Sequence, residues 1–543
     1  MKIQKERING SNTALFLAIL SALCLFLFFF RLAETGIIYP SNEPRRMLLA
    51  KDMVSHGHWL IPYLLGKPYI TKPPVLIWLI SAGYLLFGSK SLWATRCFTA
   101  LVGLINVMVT FFFAKKLFDQ RVGFFAALIL ATNLLYIFRS RMAEEDIILA
   151  LFINLSLYSF FLAYHYCEGR KYYLLSYVFV SLACLTKGPS EIIFPALPIV
   201  TYLLLRRDLR SIKNMELLSG VFIFSALVLL WYIYAYHQVG MSGAQRIFLE
   251  DTWYKFFPQG HSKPFYHYLV SLFPLFFPWS MFLPALAVYI FTKKDDSERT
   301  PPLFLMCWLL STLFFFSLAG AKRNEYILPL YPALAMLTAQ VWSRFLGDEE
   351  SSLLSKMVLG GIFTFALLLI GVGIAAPIYT LLKYPDDLVW NSLLGGFAAL
   401  IGLSLYRFAK RQHYKAFFPA AVILMIGVIF QFTMHFIPTY LSYKTPHTFC
   451  ANVASIVGQD HKLMSFRYQD EYIINELDQV IEDIKEEDEL DRYLAGEKKV
   501  YIIMDGRDFL RLKKDRAEMY LVMFQEHFLK RRWSIALVTN NRS

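Results

Sequence analysis

Apolar runs of about 18 residues or more, the length of a membrane-crossing helix, recur along the first four fifths of the sequence. A helix satisfies its own backbone hydrogen bonds in lipid, so repeated runs of this length can fold as a bundle of spans. The sequence is 57% hydrophobic and only 17% charged, whereas soluble domains carry about 25% charged residues. We therefore predict an all-α polytopic membrane protein.

The topology depends on Pro74 to Phe87, an apolar segment that is short for a span. If it lies along the interface, the following span ends at Lys115 and Lys116, and nearly every later basic loop falls on that same side. Basic loops mark the cytoplasmic side, so this choice predicts about 13 spans, a cytoplasmic N-terminus and an external C-terminus. Residues 33–90 then contain the first external loop. Basic cytoplasmic loops also explain the net charge of +13, so we expect no nucleic acid partner.

The character of the sequence changes after Pro438, where charged residues become frequent. Val500 to Met504 and Ser534 to Val538 have the apolar composition of strands. We predict that residues 439–543 form a small, extracytoplasmic α/β soluble domain that follows a transmembrane domain at 1–438.

Two motifs of the first external loop combine charge with proline. Glu43 and Arg45 follow Asn42, and a guanidinium binds phosphate bidentately; an equally valid interpretation is an N-cap at the start of a helix. Tyr69 and Lys72 lie among prolines that restrict the backbone. Lys72 is either a fixed cation for an anionic ligand or a lysine that extends to the interface.

Further candidates lie on later outward segments. Glu145 and Asp146 directly precede an apolar run; acids there complement the helix dipole, but an ionisable group at the edge of a span is also a functional candidate. The later turns carry His261 with Lys263, and Lys322 with Tyr326. Basic residues on outward turns run against the usual charge bias, which favours a binding role.

In this order the motifs resemble those of the bacterial lipid A 4-amino-4-deoxy-L-arabinose transferases and the protein O-mannosyltransferases, which have the GT-C fold and use polyprenyl-phosphate sugars. Asn42 to Arg45 is similar to the Asp-Glu-Pro-Arg motif of this family. Tyr69 to Pro74 is similar to its Tyr-x-x-Lys-Pro-Pro motif, and Asp146 to Leu149 to its second acidic motif. The segments at 186–189 and 322–329 also match.

The resemblance implies a fold of 13 spans with interfacial helices in the first external loop and an external C-terminal domain. It also implies residue roles. The catalytic candidates are Asp146, Glu43, Asn42 and Glu145. The candidates for binding the donor phosphate are Arg45, Tyr69, Lys72, Lys263, Lys322 and Tyr326.

Two positions depart from the family pattern. Asn42 stands where the family usually has an aspartate, and an amide cannot act as a base; Asp146, Glu43 or Glu145 takes that role, or the acceptor is already anionic. Thr71 stands where the aminoarabinose transferases have a glutamate that binds a metal together with the histidine matched by His261. His261 alone makes a weak site, so no cofactor is assigned and a divalent metal is a secondary expectation.

The resemblance implies a glycosyltransferase that moves a monosaccharide from a polyprenyl (undecaprenyl) phosphate carrier to an extracytoplasmic acceptor such as lipid A, a protein or an envelope glycan. The enzyme would be a multi-pass protein of the bacterial inner (plasma) membrane with its active site facing the periplasm. Two alternatives are a flippase or exporter of lipid-linked sugar and an enzyme like the O-antigen ligases. A ligase would leave a monosaccharide-linked carrier untouched.

The substitution Asp146→Asn separates the enzyme from a flippase. We expect it to abolish sugar transfer while binding of the carrier lipid is kept, because the amide is a poor proton acceptor. Transfer is measured with labelled donor, and lipid binding with the purified variant. Unchanged function in cells would exclude Asp146 as a catalytic residue.

Overall fold

The structure is a computed structural model of the 543-residue chain. It describes residues 10–38, 41–166, 169–248, 263–292, 300–347, 352–383, 388–458, 461–479, 481–526 and 534–540. Helices make up most of the described chain, and a five-stranded sheet lies near its C-terminal end.

The first part of the chain is helical except for a short hairpin between α2 and α3, formed by β1 (Tyr63–Leu64) and β2 (Lys67–Pro68). The helices are α1 (Gly10–Phe29), α2 (Glu43–His56), α3 (Val75–Phe87), α4 (Leu92–Leu117), α5 (Gln120–Ala131), α6 (Leu134–Ser140), α7 (Glu145–Tyr166), α8 (Arg170–Lys187), α9 (Ile193–Leu205), α10 (Leu217–Phe224), α11 (Leu230–Phe248), α12 (His267–Leu275), α13 (Leu283–Thr292), α14 (Thr300–Leu318), α15 (Tyr331–Leu346), α16 (Ser352–Lys383), α17 (Leu388–Lys410), α18 (Phe417–Gln431) and α19 (Ile437–Lys444).

In the described part of the chain, seven helical stretches are long and apolar enough to cross a membrane. An eighth is the pair α5 and α6, which is bent by 67°. The prediction of a mostly helical, multi-pass membrane protein is thereby confirmed at this coarser level. Several shorter apolar helices, such as Thr13–Phe29 and Pro189–Leu205, accompany these stretches.

Helix α3 covers most of the segment on which the predicted topology depends. Its 13 residues span about 20 Å at 1.5 Å per residue, which is less than the hydrocarbon thickness of about 30 Å. Gly88, in the left-handed region with φ of 59°, ends the helix, and Ser91 caps the start of α4. The helix packs against α2 and α4. The helix is therefore too short to cross that thickness by itself.

Buried polar side chains connect α4 to α7. The amide Nδ2 of Asn154 donates to Asn106 Oδ1 at 2.7 Å and to Thr110 Oγ1 at 3.0 Å. All three residues have no exposed surface. Hydrogen bonds between helices are favourable in an apolar environment because an unpaired polar group there is costly. This contact fixes the register of α7, whose first residues are the acidic candidates.

The C-terminal region contains a five-stranded sheet. Its elements are α20 (His447–Val457), β3 (Lys462–Phe466), α21 (Glu471–Glu476), β4 (Glu482–Ile484), α22 (Glu487–Leu494), β5 (Val500–Asp505), α23 (Gly506–Leu512), β6 (Tyr520–Glu526) and β7 (Ser534–Thr539). The strand order is β4-β3-β5-β7-β6. Strand β3 pairs in parallel with β4 and β5, and β7 pairs antiparallel with β5 and β6. Both predicted strands are confirmed, as β5 and β7.

The central strand β5 is apolar on both faces. Ile502 and Met504 lie in one cluster of buried residues, and Tyr501 and Ile503 lie in a second. A strand that is covered on both sides reads as a continuous apolar run, which explains why the segment was recognisable in the sequence.

Small residues allow α16 and α17 to approach closely, as in many membrane helix pairs. A Cβ on Gly402 of α17 would lie 2.6 Å from the backbone oxygen of Ala366 on α16. A Cβ on Gly396, also on α17, would meet nothing within 4 Å. The two glycines therefore differ in packing while sharing one helix.

We expect Gly402→Ala to destabilise the protein by about 1–3 kcal/mol, because the backbone of α16 must move. Gly396→Ala is the matched control and should be neutral or stabilising by up to about 1 kcal/mol, since alanine is the better helix former. The measurement is the thermal unfolding midpoint in detergent. Equal midpoints for the two variants would contradict the close approach.

Candidate active site

Three consecutive carboxylates at the start of α7, Glu144, Glu145 and Asp146, are the centre of the site, and we call them the acidic row. All three are buried, with 7%, 8% and 4% of their surface exposed. Each contacts a cation from a different segment. A buried charge is tolerated when it is paired, so the acidic row brings these segments together.

Asp146 pairs with Lys187, the last residue of α8. Asp146 Oδ1 lies 2.5 Å from Lys187 Nζ. The Lys187 ammonium also lies 4.9 Å from the ring centroid of Tyr326, and the Lys187 backbone oxygen accepts a hydrogen bond from Lys72 Nζ at 3.2 Å. Three residues predicted from separate motifs, Lys72, Asp146 and Tyr326, thus converge on Lys187.

Glu145 pairs with Arg46 in the first turn of α2. Arg46 lies 2.5 Å from Glu145 Oε1 and donates to the Tyr69 hydroxyl at 2.9 Å. Its guanidinium also faces the Tyr69 ring at 5.7 Å. The Tyr69 motif and the acidic row are therefore joined through Arg46.

Glu144 pairs with Arg139 at the end of α6. Arg139 also lies 4.0 Å from Asp146 and 3.3 Å from Glu325, so one guanidinium contacts three carboxylates. Burial raises the pKa of Glu144 to about 7; Arg139 opposes the shift, whereas Asp146 and Glu325 add to it. Burial therefore brings the pKa of Glu144 close to neutral pH.

Glu43 lies behind the acidic row. It is fully buried, and its two oxygens accept from Arg96 at 2.7 and 2.6 Å. One oxygen also accepts from the backbone amide of Ala143 at 2.9 Å. Since Ala143 directly precedes the row, Glu43 supports the start of α7. Asn42 is the N-cap residue of α2, but its side chain makes no capping hydrogen bond.

Arg45 points toward the C-terminal region. Its Nε donates to Glu471 Oε1 at 2.8 Å, and Lys51, further along α2, lies 2.6 Å from Asp478 Oδ1. The C-terminal region therefore packs on the helix that carries Arg46, and the structure places Arg45 in this contact instead of beside Asp146.

Lys263 and Lys322 form a second, strongly basic group. Lys322 Nζ donates to the Lys263 backbone oxygen at 3.0 Å, and Lys263 Nζ lies 3.5 Å from His267 Nε2. Burial and the neighbouring Lys263 lower the pKa of Lys322, and burial followed by Lys263 likewise lowers the pKa of His267. Within the described ranges, no carboxylate pairs with either lysine. His261 lies outside the described residues.

Several residues of this site were not among the predicted site residues. They include Arg46, Arg139, Glu144, Lys187 and Glu325. All of them except Arg139 lie next to a predicted residue or inside a recognised motif: Arg46 follows Arg45, and Lys187 lies in the segment at 186–189. The available signal was a charged residue within a motif, but the sequence could not show which carboxylate each cation would meet.

Comparison with known proteins identifies relatives of this chain. A family model described as dolichyl-phosphate-mannose-protein mannosyltransferase matches residues 71–234, a region that includes Lys72, the acidic row and Lys187. A protein of Aquifex aeolicus is 32% identical over 320 residues, which are 58% of this chain and 61% of that protein.

Two further relatives carry the same description, undecaprenyl phosphate-alpha-4-amino-4-deoxy-L-arabinose arabinosyl transferase. The protein from Pseudomonas aeruginosa (strain UCBPP-PA14) is 28% identical over 80% of this chain and 78% of its own length. The protein from Erwinia tasmaniensis is 26% identical over 76% of each chain.

The fold is also known from solved structures. The crystal structure of ArnT from Cupriavidus metallidurans bound to undecaprenyl phosphate matches with a TM-score of 0.78 and 19% identity, over 98% of this chain and 99% of that chain. At this identity the likeness shows the fold alone. Together with the sequence relatives, it confirms the resemblance predicted from the motifs.

The raised pKa of Glu144 gives a testable pH dependence. A free glutamate has a pKa of 4.5, so between about pH 4.5 and 7 Glu144 binds more protons in the folded state than in the unfolded state, and its contribution to stability falls as the pH rises. We expect Glu144→Gln to flatten this part of the dependence of the thermal midpoint on pH. Glu497→Gln, at an exposed position, should keep the wild-type slope. A Glu144→Gln variant with that same slope would contradict the assignment.

Proposed function

Since this chain is a membrane glycosyltransferase of the type that uses a lipid-phosphate sugar donor, we propose that it transfers one monosaccharide from undecaprenyl phosphate to an extracytoplasmic acceptor. Undecaprenyl phosphate is the carrier named for its relatives in Pseudomonas and Erwinia and for the ArnT structure. The observation that carries the proposal is the convergence of Lys72, Asp146 and Tyr326 on Lys187.

The chemical step is a displacement at the anomeric carbon of the donor sugar. An acceptor oxygen attacks this carbon, the bond from the carbon to the phosphate oxygen breaks, and the electron pair stays on the phosphate. Cations positioned beside the departing oxygen stabilise the charge that grows there. A hydroxyl acceptor must also lose its proton, whereas an anionic acceptor has none to lose.

We assign the phosphate to the cations for which the described part of the chain provides no carboxylate partner. Arg46 and Arg139 are matched by the acidic row, so they supply little net positive charge. Lys263 and Lys322 supply two positive charges close together, and an anion between them would relieve their repulsion. Lys72 and Tyr326 would contact the phosphate from the side of Lys187.

Asp146 is the carboxylate that we assign to the acceptor. Glu43 is enclosed by Arg96 and by the backbone of Ala143, whereas Asp146 lies beside Lys187, on which the phosphate candidates Lys72 and Tyr326 converge. Asp146 would orient a hydroxyl acceptor or accept its proton, a contribution typically worth about 10²–10⁴-fold in rate. Asn42 would then need no catalytic role.

The architecture that we propose has a membrane domain at residues 1–438 with about 13 spans. Seven or eight of these spans are the long apolar helical stretches, and the shorter apolar helices provide the others. Helix α3 lies in the interface, and residues 439–543 form a domain on the same side as the acidic row. This side faces the periplasm if the protein lies in a bacterial inner membrane with basic loops in the cytoplasm.

The candidate sugar comes from the descriptions of the relatives. Aminoarabinose is the sugar named for the arabinosyl transferases, and lipid A, a protein or an envelope glycan is the proposed acceptor. Mass spectrometry of lipid A, envelope proteins and glycans from a deletion strain identifies which of them loses a sugar. Purified enzyme supplied with monosaccharide-linked undecaprenyl phosphate must then restore that modification. Failure with this donor, together with transfer of a preassembled chain, would favour a ligase.

Removal of one positive charge at the lysine pair tests the phosphate assignment. We expect Lys322→Gln and Lys263→Gln to raise the KM for the donor by about 10-fold or more, since a hydrogen bond to a charged group contributes about 1.5–3 kcal/mol. Lys498→Gln, on an exposed part of the C-terminal region, is the control and should keep the wild-type KM. Wild-type donor KM values for both site variants would place the phosphate elsewhere.

A further inference from the structure

An aspartate and two histidines converge at the C-terminal end of α2. Asp52 Oδ1 lies 3.0 Å from His56 Nδ1, and Asp52 Oδ2 lies 2.8 Å from His58 Nδ1. One potential ligand atom from each of the three residues lies within 4.8 Å of the other two. The three ligand atoms are thus close enough together to share one metal ion. None of these residues belongs to the acidic row or to the lysine pair.

Local structure explains how the three side chains meet. Asp52 and His56 are four residues apart in α2, so they lie on one face of the helix. Gly57 then adopts a left-handed conformation with φ of 76° and ends the helix. This turn reverses the chain so that His58 returns to the same carboxylate. A side chain with a Cβ would be strained at this φ.

Neighbouring groups hold the ligands in place. The backbone amide of Tyr63 donates to Asp52 Oδ2 at 3.1 Å. The His58 ring stacks on the Tyr63 ring with centroids 4.2 Å apart. Hydrogen bonds to a ligating carboxylate and packing of a ligating imidazole are typical of metal sites, because they fix the ligand orientation before the metal binds.

The cluster opens onto a cavity of about 510 Å³ between the first external loop and the C-terminal region. Its lining includes Ser55 and Leu65 from the loop and Ile474 and Asp478 from the C-terminal side. The His56 side chain is 65% exposed. A metal ion can therefore reach the cluster from solvent, and a fourth ligand can approach from the cavity.

We propose that Asp52, His56 and His58 form a binding site for Zn²⁺ or a similar first-row transition metal. Two imidazole nitrogens and one carboxylate oxygen are the ligand set that zinc accepts in three-residue sites, with a water molecule in the fourth position. The site is separate from the reaction centre. It joins the last turn of α2 to the chain that leads into β1.

This position gives the metal a structural effect on the reaction site. Helix α2 has 14 residues, a length of about 21 Å. Its first turn carries Glu43 and Arg46, and its last two turns carry Asp52 and His56. Bound metal would restrain the far end of the helix and thereby stabilise the whole first external loop. Metal binding to the folded state alone raises the unfolding midpoint.

The test uses the full-length protein, purified in detergent and stripped of metal with a chelator. We expect isothermal titration with Zn²⁺ to show one equivalent at this site, and Co²⁺ to give the visible absorption of a tetrahedral complex. His56→Asn and His58→Asn should each weaken the affinity by at least ~10-fold. Each should also remove the rise in the unfolding midpoint that Zn²⁺ causes.

Two control variants separate this site from others. His447→Asn removes a histidine that pairs with a single carboxylate, Glu476, at 3.1 Å, and should leave Zn²⁺ binding unchanged. His261→Asn should likewise leave the His56-dependent equivalent in place. The proposal is overturned if the double variant of His56 and His58 binds Zn²⁺ as the wild type does, or if the wild type binds none. In the second case the imidazoles only donate hydrogen bonds to Asp52.

Discussion

Charge pairing at the start of α7 is the interaction on which the reaction site depends. Three adjacent carboxylates enter a low-dielectric environment, where an unpaired charge is very costly and loss of one partner from a buried pair costs about 3–5 kcal/mol. Arg46, Arg139 and Lys187 come from α2, α6 and α8. Pairing of the three carboxylates with these cations requires α2, α6 and α8 to meet at the start of α7. The same packing places Lys72 and Tyr326 beside Lys187.

A layer of buried polar contacts supports this arrangement. Glu43 and Arg96 form a pair with 0% and 1% of their surfaces exposed, and the same carboxylate binds the amide of Ala143. Further along α7, Asn154 is hydrogen-bonded to α4. These contacts determine where α7 starts and how it is rotated. Glu43, which the motif alone marks as a catalytic candidate, thus has the environment of a positioning residue.

The charged residues divide into two groups with different uses. When Glu144 is ionised, the three carboxylates of the acidic row balance the charges of Arg46, Arg139 and Lys187, so this group orders the site without adding net charge. Lys263 and Lys322 pair with no carboxylate among the described residues, and they are the cations that we propose for the phosphate. The C-terminal region adds contacts through Glu471 and Asp478 to α2. Helix α2 therefore connects the reaction site, the C-terminal region and the proposed metal site.

The sequence by itself determined the class of fold and the location of the motifs. Long apolar runs require a membrane, and β5 and β7 were recognisable because strands covered on both faces are continuously apolar. The short length of α3 and the charge bias of the loops indicated that the motifs lie on one side, and the contacts of Lys72, Glu145 and Asp146 with neighbouring segments agree with this.

Only the tertiary structure decided which charges meet. Local sequence is almost the same for Arg45 and Arg46, yet Arg46 contacts the acidic row and Arg45 contacts Glu471. Adjacent residues on a helix point about 100° apart, and the segments that receive them are distant in sequence. Asp52, His56 and His58 were not predicted as a metal site from the sequence, for a related reason. Their convergence requires the left-handed turn at Gly57, and only the folded chain shows that turn.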